Sequence, residues 1–208
     1  MNSHRDSVII RWVPLLFICL TLTQATGALG SEPEVAMPDT PATDHRVIFD
    51  FTAPDAAPWR SVDDVVMGGV SSSRMVVEDG RAVFRGEVSL ENNGGFASVR
   101  TSPGRHDLAG FDGLAVRVRG DGQRYSFRLR MSGRMDDVSY QVKFEAPEEG
   151  WQTVRFPFSE FEAVFRGRAL PGAPPLNPGK IRSFGILISD KQEGPFQLEV
   201  EEIRAYRE

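Results

Sequence analysis

The stretch RYSFRLRM, residues 124–131, decides the fold class. Apolar and polar side chains alternate along it, the apolar ones being Tyr125, Phe127, Leu129 and Met131. A period of two with one polar face is typical of an antiparallel strand whose other face packs on a core. Residues 124–131 therefore predict a half-buried strand.

The same alternation recurs at 81–90, 114–119, 140–145 and 196–201. Residues 183–189, SFGILIS, are almost wholly apolar and predict a central strand covered on both faces. Turn dipeptides such as Asp79-Gly80 and Asp112-Gly113 separate these runs, and no long stretch has helical periodicity. The pattern predicts an all-β sandwich or jelly roll of about nine or ten antiparallel strands.

Composition excludes several function classes. The chain has 208 residues and a net charge of −5, which argues against nucleic acid as a partner. A single Cys excludes a disulfide framework and any CxxC site, and three His make a histidine-built metal centre improbable. No nucleophile elbow, P-loop or dinucleotide fingerprint is present. We therefore expect a protein that is not an enzyme and has no cofactor. A structural calcium ion, which carboxylates and carbonyls would hold, stays open without a site to place it.

The N-terminus has the features of a targeting segment. Arg5 and Arg11 precede an apolar run from Trp12 to Leu22, and small residues precede Ser31. We predict a signal peptide at 1–30, with a membrane anchor over residues 8–30 as the alternative. Residues 31–46 are rich in Pro and acids and predict a linker, which leaves 47–208 as the domain.

Two polar turns contain candidate ligand-binding residues. Asp63 and Asp64 precede a Gly-Gly pair, so they could bind a cation or sugar hydroxyls, or could cap the turn through nearby backbone N–H groups. Asn92 and Asn93 precede a second Gly-Gly pair. One amide is enough to close a hairpin turn, which leaves the other free to meet a ligand.

Basic and aromatic residues supply the other candidates. Four arginines lie on the polar face of two neighbouring predicted strands and could form one patch for an anionic glycan, a phosphate or an acidic partner, or could be a solvated sheet face. They are Arg117, Arg119, Arg128 and Arg130. Trp59, beside Pro58, is the tryptophan expected to be exposed for stacking on a sugar. Asp190 and Lys191 lie in a polar turn and are secondary candidates for ligand contact.

Several segments, taken in order, resemble the complex I intermediate-associated protein 30 family. They are WRSVDDVVMGGVSS (59–72), ENNGGFASVR (91–100), RGDGQRY (119–125), SYQ (139–141), FRGR (165–168) and ILISDKQEGPF (186–196). The resemblance implies a galactose-binding-like β-sandwich, similar to carbohydrate-binding modules, and a role in assembling NADH:ubiquinone oxidoreductase. No catalytic residues come with the family.

A signal peptide would place this chain on the opposite side of the membrane from the family's mitochondrial members. We therefore expect an exported, periplasmic or extracellular binding or assembly module without catalytic activity. The alternatives are a carbohydrate-binding module and a membrane-anchored assembly factor for a respiratory complex. The expected partner is a protein or a glycan, with membrane association only if the N-terminus is uncleaved, and the oligomeric state stays open.

Overall fold

The structure is a computed structural model that describes residues 44–52, 59–134 and 136–208. These ranges form two antiparallel sheets and no α-helix. The strands are β1 (His45–Phe49), β2 (Trp59–Ser61), β3 (Ser72–Glu78), β4 (Arg81–Val88), β5 (Ala97–Thr101), β6 (Gly113–Arg119), β7 (Arg124–Arg130), β8 (Ser139–Glu145), β9 (Gln152–Pro157), β10 (Glu162–Phe165), β11 (Arg168–Ala169), β12 (Ser183–Ile188) and β13 (Gly194–Tyr206). Short 3-10 helices lie at Asp64–Met67, Glu91–Asn93, Phe158–Glu160 and Pro178–Lys180.

The all-β prediction is confirmed, with thirteen strands in the described residues rather than nine or ten. Strands β2, β10 and β11 are three, four and two residues long. Such short segments show too little alternation to be recognised in a sequence. The predicted central strand is also confirmed, because every residue of β12 is buried.

Strand β13 organises the six-stranded sheet, whose order is β3-β4-β13-β6-β9. The first half of β13 pairs with β4, and its second half pairs with β6 on one side and β1 on the other. Register shifts interrupt the ladder between Val200 and Glu202 and between Val47 and Phe49. The seven-stranded sheet has the order β11-β10-β8-β7-β12-β5-β2.

One core fills the space between the sheets, and it consists of the predicted apolar faces. The rings of Phe127 on β7 and Phe156 on β9 stack across it with their centroids 5.4 Å apart. Phe84 on β4 meets Tyr125 on β7 edge to face, with the ring centroids 6.4 Å apart. Since both pairs join residues of different sheets, these contacts hold the two layers together.

The described domain begins slightly before the predicted boundary at Val47, because β1 starts at His45. The predicted signal peptide or anchor at 1–30, and residues 31–43 of the predicted linker, lie outside the described residues. Among the residues that the structure describes, no helix is long and apolar enough to cross a membrane.

Candidate functional site

Asp64 organises a loop that connects two of the sequence motifs. Its side chain is fully buried, and its carboxylate accepts four hydrogen bonds. The Ser71 N–H and hydroxyl donate at 2.9 and 2.5 Å, and the N–H groups of Gly95 and Phe96 donate at 2.7 and 3.2 Å. Burial raises the pKa of Asp64, but these hydrogen bonds outweigh it and hold the pKa below its usual value.

Two glycines let the backbone approach this carboxylate. A Cβ at Gly69 would overlap Asp64 Oδ1, and a Cβ at Gly94 would lie 2.6 Å from Asp64 Oδ2. The Gly-Gly pairs of the two motifs therefore serve the same buried acid. Asp64 holds the fold locally, and the structure supports the turn-capping alternative over the ligand-binding one.

Asp63 has the same kind of role one residue earlier. Its carboxylate accepts from the Ser73 N–H at 2.8 Å, from the Ser73 hydroxyl at 2.6 Å and from the Ser98 N–H at 3.0 Å. Ser73 belongs to β3 and Ser98 to β5, which lie in different sheets. Asp63 thus fastens the two sheets to each other at this end.

Among the residues that the structure describes, the loop that Asp64 holds carries the largest cluster of exposed apolar side chains. We call residues 65–70 the apolar loop. Val65, Val66, Met67 and Val70 are exposed to 61%, 72%, 67% and 49% of their maximum. Leu90 is exposed to 36% and follows Ser89, whose N–H donates to Ser71 Oγ at the end of the loop. An apolar patch on a loop with a fixed backbone is typical of a surface that binds another protein.

Sequence reasoning missed the apolar loop, although a signal was present. Four apolar residues lie in a glycine-containing turn without the alternation of a strand. Such residues have no sheet face to pack on, so they must be either covered by another segment or exposed.

Asn92 and Asn93 lie in the short 3-10 helix that leads to Gly94, and both side chains are exposed. Their φ angles are 54° and 59°, the left-handed region that Asn tolerates better than most residues. Asn92 and Asn93 therefore both help to form the turn through their backbone conformation. Contact with a ligand stays a prediction.

The prediction that the four arginines form a single patch is wrong. Strands β6 and β7 follow each other in the chain, but β6 lies in the six-stranded sheet and β7 in the seven-stranded sheet. Arg117 and Arg119 on β6 are paired with Glu201 and Glu199. The alternation of polar and apolar residues predicts which face of a strand is polar, but it does not predict which strands are neighbours.

Arg128 and Arg130 instead meet a residue that was not among the candidates, Arg100 on β5. The three side chains surround Gly185 of β12 on the outer face of the seven-stranded sheet, in a small depression also lined by Ser98 and Ser183. We call Arg100, Arg128 and Arg130 the arginine cluster. The alternation Ala97, Ser98, Val99, Arg100 could have identified Arg100 as a residue of this face.

Neither the candidate Trp59 nor Trp151 offers an open ring. Trp59 is half-buried rather than exposed, because it packs on Phe49 with the ring centroids 5.7 Å apart. Trp151 lies under the guanidinium groups of Arg119 and Arg117, at 5.1 and 5.9 Å from its ring. The expectation that Trp59 is available for stacking is therefore wrong.

Asp190 and Lys191 form the tight turn between β12 and β13, with φ angles of 63° and 60°. Both are exposed, and Asp190 accepts from Lys143 Nζ at 2.7 Å. Within the described ranges, no three His, Cys, Asp or Glu residues form a group that could hold a metal ion. The calcium alternative stays a prediction without a site.

Comparison with known proteins identifies the family. The family model described as complex I intermediate-associated protein 30 matches residues 49–200. This chain belongs to the complex I intermediate-associated protein 30 family. The predicted family is thereby confirmed.

Among similar proteins is the mitochondrial complex I intermediate-associated protein 30 of Drosophila melanogaster. It is 30% identical over 74% of this chain and 60% of its own length. The mouse protein of the same name is 28% identical over 77% of this chain and 56% of its own length. The chain thus spans less than two thirds of either relative.

Among solved structures, the family 11 carbohydrate-binding module of a Clostridium thermocellum cellulase is similar, with a TM-score of 0.61. It is 17% identical and aligns over 80% of this chain and 96% of the module. This likeness confirms the galactose-binding-like sandwich and concerns the fold alone.

The predicted exported location, periplasmic or extracellular, is wrong. The relatives from fly, mouse, worm and Neurospora crassa are mitochondrial proteins. The small residues before Ser31 and the apolar run before them had suggested export, but such a run is a local pattern that the family relationship overrides.

Proposed function

We propose that this chain is a non-catalytic assembly module that binds a protein partner through its apolar loop. The partner is an intermediate of a respiratory complex, the class of assembly that the names of its relatives contain. The exposure of Val65, Val66 and Met67 on a loop with a fixed backbone is the observation that carries the proposal.

The apolar loop suits temporary binding. Its backbone is already held by Asp64, so docking needs little further ordering of the chain. The exposed apolar surface gains free energy when a partner removes it from water, at about 25 cal/mol per Å². A surface of a few side chains gives a modest affinity, which suits a partner that must leave again when assembly is complete.

The test uses the full chain with a photo-crosslinking amino acid in place of Val66, expressed in cells that assemble the complex. We expect crosslinks to subunits of NADH:ubiquinone oxidoreductase in particles smaller than the mature enzyme. The double substitution Val66→Ser with Met67→Ser should remove co-migration with these particles on native gels. Val66 and Met67 are exposed, so the folded domain should be unaffected.

Leu170→Ser is the matched control, because Leu170 is also an exposed apolar residue, at 40%, but lies outside the loop. It should leave co-migration unchanged. Equal loss in both variants, or crosslinks from position 66 to no subunit of the complex, would contradict the proposal.

The carbohydrate-binding alternative has no such support. Among the described residues, the exposed large apolar side chains include one aromatic, Phe165, and its ring lies 5.3 Å from the Arg166 guanidinium. Saturable binding of a neutral oligosaccharide to the full chain in calorimetry would restore this alternative.

A further inference from the structure

The register of the seven-stranded sheet brings the arginine cluster together. Arg100 on β5 and Arg128 on β7 both lie directly opposite Gly185 on β12, one on each side. Arg130 is opposite Ser183, the next outward-facing position of β12. Because neighbouring strands are about 4.8 Å apart, three guanidinium groups lie within reach of one point above Gly185.

Gly185 supplies a floor without a side chain. A Cβ at this position would lie 3.1 Å from the Val99 carbonyl oxygen, 3.5 Å from Arg100 Cγ and 3.7 Å from Arg128 Cβ. Glycine thus keeps open the space between the two arginine stems. The hydroxyl-bearing residues Ser98 and Ser183 complete the lining.

Neutral groups hold two of the arginines in place. Arg128 donates through Nε and Nη2 to Gln141 Oε1, at 3.2 and 2.8 Å, and Arg130 donates to the Asp137 carbonyl oxygen at 2.9 Å. In the part of the chain that the structure describes, neither forms an ion pair. Arg117 and Arg119 on the opposite sheet, by contrast, are neutralised by Glu201 and Glu199.

Arg128 and Arg130 therefore carry positive charge that no ion pair within the described residues cancels. Burial and the charge of Arg130 lower the pKa of Arg100 to about 10. Burial and the charges of Arg130 and Arg100 lower the pKa of Arg128 to about 10, against the opposing charge of Asp190. All three stay protonated at neutral pH, and an anion between them would relieve their repulsion.

We propose that the outer face of the seven-stranded sheet binds a phosphate monoester group between Arg100, Arg128 and Arg130, above Gly185. A dianion offsets more of the cluster's charge than a carboxylate does, and its several oxygens can accept from more than one guanidinium fork.

The test is calorimetric titration of the full chain with glycerol 3-phosphate at low ionic strength. In parallel, the chain is sedimented with phosphatidylcholine vesicles that contain or lack phosphatidic acid. We expect saturable binding in at least one arm. Arg128→Gln and Arg130→Gln should each weaken it about ten-fold or more, the effect of losing one charge-assisted hydrogen bond.

Arg117→Gln is the matched control, since it removes the same charge from the other sheet and should leave binding unchanged. Arg128→Lys should bind with intermediate affinity, because it keeps the charge but loses the fork. Without ligand, Arg128→Gln should unfold at the same temperature as the wild type or higher, since a repulsive charge is removed. A purely structural arginine would instead lower that temperature.

Binding of glycerol 3-phosphate supports a soluble ligand, and binding only to phosphatidic acid vesicles supports the same site with a lipid headgroup. Absence of binding in both arms would overturn the proposal. Equal weakening by Arg117→Gln would also overturn it, because the effect would then be one of net charge.

Discussion

Replacing Asp64 by Asn tests how the apolar loop is held, because it changes one atom of a buried carboxylate. Asp64 Oδ2 accepts three hydrogen bonds and Oδ1 accepts one, from the Ser71 N–H. The best orientation of an Asn side chain keeps its oxygen at the Oδ2 position. Its NH2 group then faces the Ser71 N–H, donor against donor.

The cost follows from these contacts. A buried N–H that loses its acceptor costs about 1–3 kcal/mol, and three charge-assisted bonds become neutral ones, each weaker by about 1 kcal/mol. The smaller desolvation cost of a neutral amide offsets part of this sum. We expect Asp64→Asn to lower the free energy of unfolding by about 3–5 kcal/mol.

Urea unfolding of the full chain, followed by circular dichroism, measures this loss. Asp136→Asn is the control, because Asp136 is exposed and its ion pair with Arg134, at 3.6 Å, lies on the surface. It should change stability by less than about 0.5 kcal/mol. A loss below about 1 kcal/mol in Asp64→Asn would refute the reasoning, because the four contacts could not then carry the loop.

The pH dependence of the free energy of unfolding provides a second test with the same variant. The pKa of Asp64 is lower in the folded chain than its usual value, so the unfolded chain binds the proton more readily. The carboxylate's contribution is present above about pH 4 and is lost as the pH falls through the folded pKa. The stability difference between the wild type and Asp64→Asn should therefore narrow below about pH 4.

Three further outcomes are expected in the same unfolding assay. Burial and the charges of Arg46 and Arg182 lower the pKa of His106 in the folded chain. The stability that neutral His106 contributes is therefore present above about pH 6.5 and is lost as the pH falls towards the folded pKa, and His106→Gln should make the free energy of unfolding less dependent on pH in this range. Gly86→Ala should destabilise the domain by about 1–3 kcal/mol, because its Cβ would overlap the Ser72 carbonyl oxygen, and unchanged stability would mean that β3 can shift. Glu199→Gln should cost about 1–3 kcal/mol, since the buried Glu199 carboxylate accepts from Arg119 at 2.8 Å, and high salt should not abolish the loss.

The sequence predicted the sheet faces well, because burial on one side of a strand requires a period of two. Phe127 and Leu129 face the core and Arg128 lies on the other face, as the alternation indicates, but Ser126 and Arg130 of that polar face are buried as well, so the strand is not half-buried as predicted. Pairing was not predictable in the same way. Residues 120–123 connect β6 to β7 across the sandwich, and no local pattern tells whether so short a connection forms a hairpin or changes sheet.

The contacts of the candidate site were unpredictable for the same reason, because local sequence patterns do not show which strands pair. The turn-capping role of Asp64 could be proposed from its residue type, but its partners Gly95 and Phe96 lie about 30 positions away in the chain. The arginine cluster depends on the order β7-β12-β5, which places Arg128 and Arg100 on either side of a strand far from both in sequence. Contacts that rest on long-range pairing become visible only once the fold is known.

Strand β13, the thirteen-residue centre of its sheet, follows all the other described strands in the chain and is therefore made after them. A nascent chain that ends before Gly194 has formed neither the β4–β13 nor the β6–β13 ladder, so the inner edges of β4 and β6 stay open. Open strand edges template aggregation, and long-range pairing is slow. The six-stranded sheet can therefore assemble only once β13 has been made, and we expect the nascent chain to need a holding chaperone until β13 inserts.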